Sequence, residues 1–429
     1  MKNLGKPMVI LTLLLAFALG GCSQQQNPGD AGSEESGQEE PSQTPGEVAF
    51  GFSAGFTGDM APWAEAIHKG GLVAIDEINA TGGILGKKVV VYTEDNKSVV
   101  EGSVQAATKL VNVNKVSVII GPESDPIMAL ADFAVDNKVP IISSSAGTSA
   151  LDEAGGKGRY LYRTNTGDSF IGICEAKVAK DALGFDKAVI LHENTEGSTS
   201  AAEAFQQNFT RFGGTILDTV VLSSKQSTYS SELKKAFSTK PPFVYFSTGQ
   251  VVANIALKEI YQKGETAKIL GTTELQNDDL IKATKNASIG LLSIHVVEKE
   301  DSQGWTRFSE LYQKKYQEKP MAGYYQSNTY DAVILAALAM EAAQDTSGAA
   351  VDNYLTQVSG PPGVKVYSFE EGVKELRAGN DIDYEGASGP VDFNEFGNVS
   401  APAVAIMEVN DQLHWVDKEV LDSSNFPAK

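Results

Sequence analysis

The chain has 429 residues, with 35 Lys and Arg against 55 Asp and Glu, and a net charge of −20. A hydrophobic share of 42% is that of a globular protein, below a polytopic membrane protein and above a disordered chain. The acidity argues against nucleic acid or an anionic lipid surface as partner, since both reward Lys and Arg, and the length predicts two or three lobes with cores of their own.

The first 46 residues do not read as globular. Lys2 and Lys6 precede an apolar run from Met8 to Leu19, too short to cross a bilayer as a permanent helix. The small residues Gly20 and Gly21 then precede Cys22. A basic start, a short apolar stretch and small residues at the cut predict a secretory signal peptide over residues 1–21. The string Leu19-Gly20-Gly21-Cys22 resembles the lipobox of bacterial lipoproteins, which implies cleavage before Cys22 and acyl chains, palmitate among them, on that residue. The plainer alternative is an ordinary signal peptide with a chance Cys. Two or more acyl chains anchor stably where one does not. Residues 22–46 are rich in Gln, Pro, Gly, Ser and Glu and carry no cation, so they predict a flexible acidic linker. With Cys22 acylated, Cys174 has no partner in the chain and reads as a buried small apolar residue.

From Glu47 onward β-branched runs alternate with helical ones. Strands are expected at Val48–Phe52, Val89–Tyr92, Val116–Ile120 and Pro140–Ile142. The helices between them open at Pro62, cover Val99–Val111 and run from Pro126 to Val135. The rhythm restarts with strands at Lys187–Leu191, Thr215–Leu222, Phe243–Ser247 and Lys268–Gly271. Their helices lie near Phe170–Ala182, Thr199–Phe212, Tyr229–Phe237 and Val251–Gln262. A long helix is expected near Asp331–Ala343, then a Gly/Pro-rich segment, then a terminal hairpin of Val404–Val409 and Leu413–Val416. Unbroken apolar strands separated by helices require a parallel sheet covered on both faces, so the fold class is α/β with two doubly wound lobes.

Little in the sequence points to catalysis. Gly82-Gly83-Ile84-Leu85-Gly86-Lys87-Lys88 has one residue too few between its glycines for a phosphate loop and Lys where Mg²⁺ needs Ser or Thr. It also lies between a helix and a strand, the reverse order, and reads as a helix end and turn. His68, His192, His295 and His414 are far apart, so no metal site is expected, nor any cofactor. The informative residues are the polar ones after the strands, since ligands of open α/β sheets bind beyond the carboxyl ends of the strands. They include Glu123-Ser124-Asp125, Ser143 to Thr148, His192 to Glu196, Ser247 to Gln250 and Gly271 to Glu274. For any one such patch, capping of the next helix is the competing role.

The run Gly70–Gly86, the strings Val118-Ile119-Ile120-Gly121-Pro122 and Val139-Pro140-Ile141-Ile142-Ser143, the helix opening Tyr330-Asp331-Ala332-Val333, and Gly389-Pro390-Val391-Asp392-Phe393 followed by Gly397 carry a resemblance. In this order, behind a lipobox, they resemble type I solute-binding proteins of bacterial ABC importers, in the leucine/isoleucine/valine-binding branch. The resemblance implies two lobes joined by three hinge strands, closing on a solute held between them. It implies no enzyme activity.

The implied borders are residues 47–165 for the first part of lobe 1, 166–296 for lobe 2, 297–395 for the return to lobe 1, and 396–429 for a closing segment mainly in lobe 2. The implied ligand contacts in the first lobe are Ser124 or Asp125, then Ala146, Gly147 and Thr148, with Trp63 as a covering aromatic or as core packing under the first helix. In the second lobe they are Glu196, Gly249, Thr273 and Glu274. Two departures stand out. Asp125 falls where relatives commonly carry Ser, and an Asp there repels a carboxylate unless it points away or Ser124 takes the role. Glu196 and Gly249 replace aromatics, giving a more open and acidic pocket than a strict leucine site. The implied function is a lipid-anchored receptor on the extracytoplasmic face of a bacterial membrane, passing an amino acid or similar small solute to an ABC permease. The competing readings are a receptor for an amide, urea-like or amine solute and a sensor that presents its ligand state to a membrane receptor.

Overall fold

The computed structural model describes residues 46–297, 301–321, 323–400 and 403–422. The proposed signal peptide, Cys22 and all but the last residue of the linker lie outside the described residues. In chain order the structure starts with β1 (Glu47–Ala54), α1 (Ala61–Ala80), β2 (Lys88–Asp95), α2 (Val100–Asn112), β3 (Val118–Ile120), α3 (Ser124–Ile127), α4 (Ala131–Asn137), β4 (Ile141–Ser143) and β5 (Leu161–Thr166). It continues with α5 (Asp168–Lys177), β6 (Lys187–Glu193), α6 (Glu196–Arg211), β7 (Thr215–Leu222), α7 (Ser230–Phe237), β8 (Phe243–Ser247), α8 (Gln250–Gln262), β9 (Lys268–Gly271), α9 (Asp278–Thr284) and β10 (Leu292–Val296). The last part holds α10 (Gln303–Tyr316), α11 (Gln326–Ala343), α12 (Gly348–Ser359), β11 (Val364–Val366), α13 (Phe369–Arg377), β12 (Ile382–Tyr384), β13 (Asn398–Val399), β14 (Ala403–Val409) and β15 (Trp415–Asp422).

Two sheets result. The first has the order β13-β5-β4-β3-β1-β2 with every neighbouring pair parallel. The second has the order β15-β14-β10-β9-β8-β6-β7, parallel except for the pairs made by β14. The chain therefore passes between the sheets after β5, after β10 and after β13. This is the expected α/β fold of two parallel-dominated sheets joined by three connections.

Alternation along the strands explains why both faces are covered. Val48, Phe50 and Phe52 enter a core with α1 and α11, while Ala49 enters the opposite core with Leu110. In the second sheet Val244 and Phe246 face one core, and Phe243 and Tyr245 the other. Helix α11 has no exposed side chain from Tyr330 to Met340, as expected of a helix apolar on all sides. Buried Glu77 of α1 ties the late helices to the first sheet: it accepts from Arg307 Nε and from the Phe369 N–H, both at 3.1 Å, and from the Tyr330 hydroxyl. Among the described residues no helix is long and apolar enough to cross a membrane.

Several elements differ from expectation. Strand β5 was not anticipated, because its Arg163, Thr164 and Asn165 break the apolar pattern. Arg163 is buried there because Asp152 pairs with it at 2.5 Å. The helix expected from Pro126 starts at Ser124 and changes to a tighter turn over Met128–Leu130 before α4. The segment read only as Gly/Pro-rich contains α12 and α13, each capped by a Ser hydroxyl: Ser347 accepts from the Ala350 N–H at 3.2 Å and Ser368 from that of Glu371 at 3.1 Å. The terminal hairpin is present, with its second strand longer than expected.

Candidate functional site

A cavity of about 200 Å³ lies where the carboxyl ends of strands from both sheets face one another. The loop after β1 and the start of α1 bring Asp59, Met60 and Trp63, and the loop after β3 brings Glu123, Ser124 and Asp125. Ser145 and Gly147 follow β4, and Thr166 and Asp168 end β5 and start α5. The second sheet supplies Glu193 and Thr195 after β6, Ser247, Thr248 and Gly249 after β8, Thr272, Thr273 and Glu274 after β9, and His295 from β10. This is where a ligand of an open α/β sheet is expected.

Of the ten cleft residues expected from the sequence, Trp63, Ser124, Asp125, Gly147, Gly249, Thr273 and Glu274 line this cavity together. Ala146, Thr148 and Glu196 do not. Ala146 is fully buried in the core beneath the loop. The hydroxyl of Thr148 donates to Glu196 Oε1 at 2.8 Å, so this pair bridges the two walls beside the cavity. Trp63 lines the cavity yet is only 2% exposed, with its ring 6.4 Å from that of Tyr324, so it packs as well as faces inward.

Backbone geometry sets the first wall. Gly121 has φ +100, and a side chain there would put its Cβ 2.0 Å from the Ser53 carbonyl oxygen. Only glycine fits this turn, and the turn carries Glu123 and Ser124 to the cavity. At Gly147 an added Cβ would sit 2.1 Å from Asp168 Oδ1. Arg163 holds the same loop from below, donating through Nη1 to the carbonyls of Gly147 at 2.9 Å and Thr148 at 3.0 Å. Ser124 Oγ accepts the N–H groups of Gly147 at 2.9 Å and Thr148 at 3.2 Å. Asp125 turns its carboxylate toward the second wall, where Oδ1 accepts the Glu196 N–H at 3.1 Å.

The cavity is acidic. Asp59, Glu123, Asp125, Asp168, Glu175, Glu193 and Glu274 line it, and among the described residues neither Lys nor Arg does. Burial pushes the Glu123 carboxyl up, against a hydrogen bond from Asn96 Nδ2 at 3.0 Å that pulls it down. Burial raises Asp168 to about 7, with the Glu274 charge adding to the rise and Ser200 and Arg163 opposing it. Glu175 is raised well above the ordinary carboxylate range by burial, although Tyr245 donates its hydroxyl to Oε2 at 2.8 Å. Glu193 is satisfied differently, accepting from the Gly249 N–H at 2.9 Å and the Ser224 hydroxyl at 2.5 Å. Burial lowers His295, whose Nδ1 has no partner.

Sequence reasoning missed Asp168, Glu175 and His295 as site residues and reached Glu193 only within the strand-end run His192 to Glu196. Asp168 follows the strand that went unread. Glu175 had a signal: it is a lone carboxylate in the apolar run Phe170 to Ala176. Its neighbour Cys174 is buried, as expected, and burial pushes its thiol up.

The profile of a periplasmic binding protein family matches residues 47–412. The chain belongs to this periplasmic binding protein family. Among curated relatives, a Leu/Ile/Val-binding protein of Rhizobium johnstonii is 23% identical over 57% of this chain and 66% of its own length. That match spans just under two thirds of the relative. A leucine-specific-binding protein of Salmonella typhimurium is 23% identical over 68% of this chain and 79% of its own.

Solved structures share the fold of this periplasmic binding protein. A leucine binding protein from Thermotoga maritima superposes with a TM-score of 0.74 at 22% identity, covering 88% of this chain and 100% of that one. A branched-chain amino acid transporter substrate binding protein from Streptococcus pneumoniae, in complex with isoleucine, gives 0.72 at 22% identity over 88% and 99%. A solute binding protein from R. palustris in complex with benzoate gives 0.70 at 19% identity over 88% and 97%. The family and these neighbours are substrate-binding proteins, not enzymes.

Proposed function

We propose that the protein is the solute receptor of an ABC importer, capturing a small amine-bearing solute between two lobes and delivering it to a membrane permease. The observation that carries this reading is a single cavity lined from the strand ends of both sheets, with hydrogen bonds closing across it. A solute touching both walls at once favours the closed arrangement by its differential contacts, which is the physical basis of hinge closure. The lobes meet near the three crossings between the sheets, after β5, after β10 and after β13, so the last border lies beyond Val399 rather than at 395/396. Trp63, Ser124, Asp125, Gly147, Gly249, Thr273 and Glu274 face the solute, while Thr148 and Glu196 fasten the closed form and Ala146 packs beneath. The names of the relatives support the amino-acid class as the starting point of a ligand search. Residues 1–21 direct export and acylated Cys22 holds the receptor at the extracytoplasmic face of the membrane, with the linker as spacer. A thermal-shift panel of amino acids, amides and amines on the purified protein tests the reading: a ligand-dependent rise in Tm is expected for at least one class, and a flat response across the panel counts against it.

A further inference from the structure

We infer that the solute carries at least two cationic nitrogens and no carboxylate, as in a linear diamine or an amino-guanidine; this rests on the solute-capture reading and names its ligand class. The first ground is charge. Seven carboxyl groups line the cavity and, among the described residues, neither Lys nor Arg does, so a cation meets acidic groups that a zwitterion's own carboxylate would repel.

The second ground is that a buried acceptor on the first wall has no donor and a buried carboxyl on the second has a hydroxyl donor but no cation. Glu123, only 8% exposed, lies on the first wall, and its Oε1 has no hydrogen-bond partner. Glu175, 1% exposed, lies on the second-sheet side, where its neighbours Ile173 and Ala176 pack into that sheet's core. A buried acceptor without a donor is costly, and a buried carboxylate without a cation more so. An ammonium or guanidinium supplies both donor and charge. Asp168 and Glu274 interact electrostatically with Glu175, while Asp125 does so with Glu123, so carboxylates gather at two places on the wall rather than one.

The third ground is that the loop N–H groups a carboxylate would need are engaged, although the buried Thr248 hydroxyl on the wall and Arg163 Nε beside it have no partner. The N–H groups of Gly147 and Thr148 donate to Ser124 Oγ, and that of Gly249 donates to Glu193 Oε2. The Thr148 hydroxyl is committed to Glu196. Arg163, the cation beside Asp168, is paired with Asp152 and bound to two carbonyls.

Paired probes test this by titration calorimetry on the purified protein at pH 8: cadaverine against lysine, agmatine against arginine, and leucine and isoleucine as neutral amino acids. Cadaverine or agmatine is expected to bind at least about tenfold tighter than its carboxylate-bearing partner and than leucine, with Glu123→Gln and Glu175→Gln each weakening it by about tenfold or more. Both substitutions keep size and shape, and unchanged circular dichroism of each variant separates lost binding from lost fold. Lysine or arginine binding as tightly as its decarboxylated partner overturns the absence of a carboxylate. Leucine or isoleucine binding while the diamines fail overturns the inference and leaves the solute-capture reading standing. Failure of every probe here, together with a flat thermal-shift panel, overturns both.

Discussion

Asp125 Oδ1 accepts the backbone N–H of Glu196 at 3.1 Å, so a carboxylate from the first-sheet side sits at the N-terminus of α6 on the second. The negative charge meets the positive end of the helix dipole there. Beside it, Thr148 reaches Glu196 at 2.8 Å, and the Ser149 N–H reaches Ser200 Oγ at 2.8 Å. These contacts bias the protein toward closure; Thr148 and Ser200 make them beside the cavity, while Asp125 also lines it. Asp125→Ala combined with Thr148→Val should therefore weaken solute binding by about three- to tenfold, the worth of one or two hydrogen bonds, chiefly by raising the dissociation rate. Stopped-flow and calorimetric titrations read this, and an unchanged rate would remove the latch from the mechanism.

A second expectation concerns pH. Asp168 titrates at about 7 in the folded protein against an ordinary 3.8. Between those values the folded state keeps a proton that the unfolded chain has released. Stability from this group is therefore fully present below about pH 4 and is lost as pH rises through about 7. Glu274, Glu175 and Asp152 are the acids that act on it, with Arg163 and the Ser200 hydroxyl opposing them. Asp168→Asn should flatten the fall in Tm of the ligand-free protein between about pH 5 and 8, by on the order of 2 kcal/mol. An identical slope in the variant would contradict the assignment.

The residues behind these two expectations differ in how well the sequence revealed them. Strands β7, β8 and β9 are rich in β-branched and aromatic residues, and their expected bounds match those observed. Ser124, Gly249 and Thr273 were readable because they follow such strands. Asp168 was not, since β5 hides its strand character behind Arg163, whose burial depends on a partner eleven positions away. Glu175 lies inside a helix, where no strand-end rule applies. The direction of the Asp125 carboxylate depends on Glu196, seventy-one residues later in the chain, and local pattern carries no such information.

The long buried helix offers a stability test. Asp331 is fully buried in α11 and accepts from the Tyr384 hydroxyl, the N–H groups of Ala387 and Ser388, each at 2.8 Å, and the Ser388 hydroxyl at 2.6 Å. Burial raises its carboxyl to about 6 against the pull of these donors. Asp331→Asn puts an NH₂ group among N–H and O–H donors and should cost about 3 kcal/mol in urea denaturation. A loss below about 0.5 kcal/mol would mean that the donors find other acceptors.

Anchoring can be separated from folding and binding. Under the lipoprotein reading, Cys22→Ala abolishes incorporation of labelled palmitate and moves the protein from the membrane fraction to the soluble extracytoplasmic fraction, with solute affinity unchanged. Retention in the membrane fraction without label would point to a different tether.

The most direct measurement is a crystal structure of the protein with the tightest-binding solute from the panel. The expected result is one solute molecule between the sheets, touching Glu123 on one wall and Glu175 or Glu274 on the other. Solute bound on an outer face of either sheet, with the cleft empty, would contradict capture between the lobes.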